Sequence, residues 1–117
     1  MANRDNEMRQ RTTESELDTI AVEPFPGDIW WCEGESLRLD DGGKIRPVLV
    51  LAIHGGTARV VPLTTRKPPG HAISIPHKAG HSWLTQTEVD VPAISLLSGL
   101  GHWTGFTQWL KQRTPVV

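Results

Sequence analysis

The sequence predicts a mainly β protein with short helices: a small, strongly curved antiparallel sheet or barrel, closed off by a short C-terminal helix. Nine prolines and eleven glycines are scattered among short apolar runs, a pattern of many turns rather than of a helical bundle. Two of those runs, Lys44–Ala52 and Val60–Arg66, are nearly continuous aliphatic stretches with a polar or charged residue at one end. Runs of β-branched and aliphatic residues bounded by Gly, Pro and Asp form buried strands. At 117 residues the chain makes one domain with a modest core. We divide it into a flexible polar extension over 1–22 and a single folded domain over 23–117.

Residues 1–22 are polar and charged, without glycine or a clear apolar period, and read as a disordered or marginally helical extension. Pro24 and Pro26 punctuate the start of the folded part, and Gly27-Asp28 leads into a short aromatic strand, Ile29–Cys32. Trp30 and Trp31 point to opposite faces of it, one to the core and one to an edge or interface. Glu33–Gly43 is a polar loop ending in the turn signal Asp40-Asp41-Gly42-Gly43. A second strand covers Pro47–Ile53, its proline placed first, where a missing N–H costs little. Gly55-Gly56 turns the chain into a third strand, Ala58–Leu63. Residues 66–81 form a loop with a short strand at Ala72–Ile75, and a further strand covers Ser82–Val89. Thr104–Gln112 forms a short helix with Phe106, Trp109 and Leu110 on one face.

Composition excludes several classes. No apolar run approaches the roughly 18 residues of a membrane span, and the start does not resemble a signal peptide. The single cysteine, Cys32, makes no internal disulfide, which fits a cytoplasmic protein, and builds no paired-cysteine zinc site. The net charge of −1 hides an uneven distribution. Residues 38–81 carry Arg38, Lys44, Arg46, Arg59, Arg66, Lys67 and Lys78 against Asp40 and Asp41, a net of +5. Such a local surplus is what an anionic polymer feels, although charged strand ends in solvent are also common.

Arg46 is the first candidate for function. Its guanidinium is permanently charged and offers a planar fork suited to phosphate oxygens. The alternative is a surface arginine paired with Asp40 or Asp41, a contact of little energy. Thr64 and Thr65 supply hydroxyls that donate to phosphate or cap a turn. If the second and third strands are neighbours, guanidinium and hydroxyls meet in one small area.

Three blocks occur in order: Gly27-Asp28-Ile29-Trp30, then Lys44-x-Arg46-Pro47-Val48-Leu49-Val50-Leu51, then Val61-Pro62-Leu63-Thr64-Thr65. Together they resemble the MazF/PemK/Kid family of toxin endoribonucleases over about residues 26–90. The resemblance implies an SH3-like barrel shared with the CcdB gyrase poisons, a homodimer, and a partner antitoxin whose flexible segment blocks the RNA groove. It implies metal-independent cleavage of single-stranded RNA with no cofactor, and DNA contact only through a toxin–antitoxin complex. It assigns Arg46 and Thr64 as the catalytic arginine and threonine, and Asp41, five positions before that arginine, as the acidic partner. Lys44, Thr65, Arg66, Lys67 and Gln86 are assigned to RNA binding. The expected products are a 2′,3′-cyclic phosphate and a 5′-hydroxyl.

The chain departs from the family at Trp83-Leu84-Thr85-Gln86. Some members have an arginine and an aspartate before the glutamine; here both ionisable groups are absent and Gln86 is retained. The base is therefore left to Asp41. That gap motivates a second reading: a non-catalytic barrel module binding RNA or an antitoxin-like peptide, or a CcdB-like gyrase poison. His71, His77 and His81 invite a metal reading, but Pro76 and Gly80 disfavour the helix that would align His77 with His81. The tryptophans read as packing and dimer contacts, with Trp83, beside the presumed cleft, having the best claim to stack on a base.

Overall fold

A computed structural model of the chain describes residues 23–39 and 43–113. The extension predicted over 1–22, and residues 40–42 with Asp41, lie outside the described residues. Among the described residues, seven strands form one antiparallel sheet: β1 (Asp28–Cys32), β2 (Arg46–His54), β3 (Thr57–Thr64), β4 (Ser74–His77), β5 (Gly80–Leu84), β6 (Val89–Pro92) and β7 (Leu96–His102). A one-turn helix, α1 (Gly34–Leu37), follows β1, a 3-10 turn (Ala93–Ser95) joins β6 to β7, and α2 (Phe106–Arg113) ends the described chain. The mainly β fold with a short C-terminal helix is as the sequence predicts. Among the described residues, no helix is long and apolar enough to cross a membrane.

The strand order is β4-β5-β3-β2-β1-β7, with β6 also on β3. The sheet curls without closing into a ladder. Its ends approach where the Lys78 N–H, in the β4–β5 turn, donates to the Leu100 carbonyl of β7 at 2.9 Å. Register shifts between Ile29 and Trp30, between Trp31 and Cys32, and between Val50 and Ala52 mark bulges. A bulge sharpens twist and bends its strand, which gives a small sheet its curvature.

Strand alternation builds two apolar clusters, one on each face. Ile29, Leu49, Val61, Leu63, Ile75 and Leu84 pack with Leu100, Trp103 and Phe106 beneath α2. Trp30, Cys32, Val48, Val50, Val60 and Val91 pack with Leu37 of α1 on the other. Trp30 and Trp31 separate as expected: Trp30 is buried in the α1-side cluster and Trp31 is half-buried against the α2-side one. Truncating a side chain as buried as Leu49 to alanine costs about 2–5 kcal/mol.

Four expectations need correction. The loop Glu33–Gly43 contains α1, because Leu37 is carried into the core. The strand expected over Ser82–Val89 is two strands, broken at residues 85–88. β5 pairs with Leu63–Thr64 and β6 with Thr57–Val60, so the linker lets two short strands share one side of β3. The short strand expected at Ala72–Ile75 lies at Ser74–His77, set by pairing of Ile75 with Ser82. Leu110, expected on the packed face of α2, is 36% exposed, while Phe106 is buried and Trp109 packs against the core. β7 was not foreseen; its Gly99 lies opposite Trp30 and leaves room for the indole.

Candidate functional site

Antiparallel register sets the site. Val48 pairs with Pro62, and two residues further along each strand Arg46 comes level with Thr64. Thr64 in turn pairs with Trp83 of β5, and Trp83 with Ser74 of β4. Cross-strand partners project to the same face. Leu63 and Leu84 on the α2 side define the other face, so Arg46, Thr64 and Trp83 stand in one row on the α1 side.

Arg46 and Thr64 of this row line an open cleft of about 540 Å³, with Arg66, Lys67, Thr85 and Thr87. Pro62, Leu39, Pro68 and Pro69 supply its apolar walls. Among the described residues, three cations line it and no carboxylate does. The Arg46 guanidinium donates to the Leu63 carbonyl at 3.2 Å, which fixes its base against β3. The Thr64 hydroxyl oxygen accepts the Arg66 N–H at 3.2 Å, which leaves its hydrogen for a further acceptor. The Thr85 hydroxyl donates to the Pro62 carbonyl at 2.7 Å and accepts the Thr87 N–H at 3.4 Å, holding the linker over the cleft. Lys67 places its ammonium 5.5 Å from the centre of the Trp83 ring.

Gly34 positions the segment leading into Arg46. A side chain there would overlap the Lys44 carbonyl oxygen and the Gly43 carbonyl carbon, so α1 lies directly against that backbone. Only glycine permits so close an approach.

The structure thus brings together Arg46, Thr64, Arg66 and Lys67. Lys44 and Thr65 are exposed but do not line the cleft, and Asp41 lies outside the described residues. Gln86 is not in this cleft. It lines a second one of about 390 Å³ on the α2 side, with Thr85, His71, Ile73, Glu88, Trp109 and Arg113. Alternation carries it there: Gln86 is two residues beyond Leu84, which faces the α2 side. Thr85 and Thr87 are the functional candidates that sequence reasoning passed over. Their alternation was the available signal, masked by reading Thr85 only as a lost charge.

In the second cleft Glu88 is bound by Arg113 and by Arg59, the latter at 2.9 Å, and both arginines hold its carboxyl below the usual carboxylate range. Arg59 also reaches Asp90 at 3.2 Å. Elsewhere, Ala79 N–H donates to His77 Nδ1 at 3.1 Å, so Nε2 carries the proton and donates to Ser82 Oγ at 2.9 Å. Burial, then the neighbouring His81, lowers the His77 pKa. Both His77 nitrogens are thus spent inside the hairpin, and among the described residues no group of three or more His, Cys, Asp or Glu is arranged to hold a metal. Burial and the adjacent Glu33 push the Cys32 thiol up to about 11, which keeps it protonated and unreactive.

No family model matches the chain, and neither does any curated protein or solved structure.

Proposed function

We propose that this chain is a MazF/PemK/Kid-like toxin, a sequence-specific endoribonuclease acting on single-stranded RNA. The observation that carries the reading is the juxtaposition of Arg46 and Thr64 on adjacent strands, in a cleft whose described lining adds the cations Arg66 and Lys67. A phosphodiester held there meets a fixed guanidinium fork and a hydroxyl donor. The neighbouring ribose 2′-oxygen attacks phosphorus as its proton leaves to a base, a P–O bond forms, and the bond to the 5′-oxygen breaks. That oxygen takes a proton and departs as a 5′-hydroxyl, leaving a 2′,3′-cyclic phosphate. Arg46 and Thr64 stabilise the extra negative charge on the phosphoryl oxygens. The nucleophile belongs to the substrate, so this scheme needs no metal or cofactor. Asp41 is the assigned base. The proposal carries with it a homodimer, a cytoplasmic setting, and a cognate antitoxin that occupies the groove.

One observation favours a second reading, a non-catalytic RNA- or peptide-binding module: the described residues lining the cleft include no carboxylate and no histidine to act as base. End-mapping separates the two. Wild-type protein incubated with long single-stranded RNAs should give discrete cuts ending in 2′,3′-cyclic phosphate, and Arg46→Ala should give none. Intact RNA with wild-type protein, with binding retained, selects the module.

A further inference from the structure

Four of the five tryptophans have a packing role that explains them. Trp30 and Trp103 are buried within the two apolar clusters, and Trp31 and Trp109 pack against one of them. Trp83 belongs to neither. It stands half-buried on the α1 side of β5, between Thr64 on β3 and exposed Ser74 on β4. A large indole held at the surface outside any core calls for another reason.

Its neighbours are those of a nucleic-acid platform. Lys67 lies over the ring at 5.5 Å, and His81, two residues back on the same face of β5, meets it edge-on with centroids 5.9 Å apart. Lys67 also lines the cleft, so one side chain joins Trp83 to Arg46 and Thr64. Single-stranded nucleic acid is held by this combination: cations that follow the phosphates and an aromatic face on which a base stacks. An acidic peptide would neutralise the same cations, but its carboxylates offer no aromatic face to stack on the indole.

We propose that Trp83 is the stacking platform for a base adjoining the phosphate held at Arg46 and Thr64. The inference rests on the ribonuclease reading for the position of that phosphate, but not for the stacking itself. On binding, the base takes the place of Lys67 over the ring, and the ammonium moves to a phosphate oxygen. Trp83 is thus a binding and selectivity residue rather than a catalytic one. It favours bases that stack strongly, without reading their edges.

A fluorescently labelled single-stranded DNA oligonucleotide tests this, because it lacks the 2′-hydroxyl and binds without being cut. Trp83→Ala should weaken binding about ten- to a hundredfold, while Trp83→Phe stays near wild type. Lys67→Gln should lower the slope of log affinity against log salt by about 0.7, one phosphate contact on a single strand. Indole emission should be quenched by an unlabelled oligonucleotide in wild type, and that quenching should be lost in Trp83→Phe. This arm serves even if the alanine variant fails to fold. Quenching that persists in Trp83→Phe, an alanine variant that binds normally, or no oligonucleotide binding by wild type at low salt each overturns the platform. So does an acidic peptide whose binding depends equally on Trp83. Trp83-dependent binding without RNA cleavage leaves the platform standing and sinks the ribonuclease; cleavage indifferent to Trp83 does the reverse.

Discussion

Val61 and Pro62 are consecutive on β3, and each faces a cleft of its own; the two clefts share Thr85 but treat charge in opposite ways. On the α2 side Arg113 and Arg59 are tied to Glu88, and Arg59 also to Asp90, so positive charge there is answered from within the fold. On the α1 side the described lining gathers Arg46, Arg66 and Lys67 with Thr64, Thr85 and Thr87. Composition alone does not distinguish these arginines. What separates them is the carboxylates Glu88 and Asp90, which stand beside Arg113 and Arg59. A phosphate gains from cations gathered along one cleft, and gains little from cations tied to carboxylates.

The sharpest way to break this contrast is to remove Arg46. Arg46→Ala should lower the single-turnover rate of RNA cleavage about a hundred- to a thousandfold, the loss expected for one donor to a developing oxyanion. Arg113→Gln, on the other face, should leave that rate unchanged. Equal losses in both variants would erase the distinction between the clefts. Gly34→Ala comes next. The added carbon overlaps the Gly43–Lys44 backbone, and the strain should cost about 1–3 kcal/mol in chemical denaturation while lowering cleavage through a displaced Arg46. Normal activity with normal stability would show that α1 does not set the position of that segment.

Smaller effects sharpen the comparison. Arg113→Gln should cost at most about 1 kcal/mol in stability, as for other partly exposed ion pairs, with less difference from wild type at high salt. The least effect belongs to the β4–β5 hairpin. The folded state depresses the His77 pKa below 6.5, favouring the neutral ring, whose stabilising contribution is complete above that value. It is lost as pH falls through the depressed folded value. Denaturation midpoints taken from pH 8 down to pH 5 should therefore decline more steeply in wild type than in His77→Gln. Parallel profiles would show that the Ala79 and Ser82 contacts do not depend on the neutral ring.

Much of the scaffold was legible because its signals are local. The aliphatic runs of β2 and β3 and the Gly55-Gly56 turn fixed a hairpin, and antiparallel register then brought Arg46 level with Thr64. The errors arose where long-range contact decides. Nothing in Ser82–Val89 announces that residues 85–88 leave the sheet; the break follows from β3 being long enough to pair with two strands on one side. Gln86 lies outside the cleft because it shares the face of Leu84, two residues before it. β7 hid behind Gly99 and Gly101, residues that normally argue against a strand, one of which lies opposite Trp30. The one-turn α1 carries no periodicity a sequence can display, yet Leu37 and Gly34 give it both a core anchor and a tight seat against the Arg46 segment.

Cys32 lies opposite Arg46 in the β1–β2 register, fully buried, with its thiol pKa raised to about 11. The protein therefore carries a built-in kinetic reporter on the strand beside Arg46. A thiol reagent meets a reactive sulfur only when β1 parts from its neighbours. The ratio of labelling rates in the folded and denatured chain thus measures the free energy of that opening. A ligand that binds the α1-side cleft should slow labelling in proportion to its occupancy, without any dye or engineered residue.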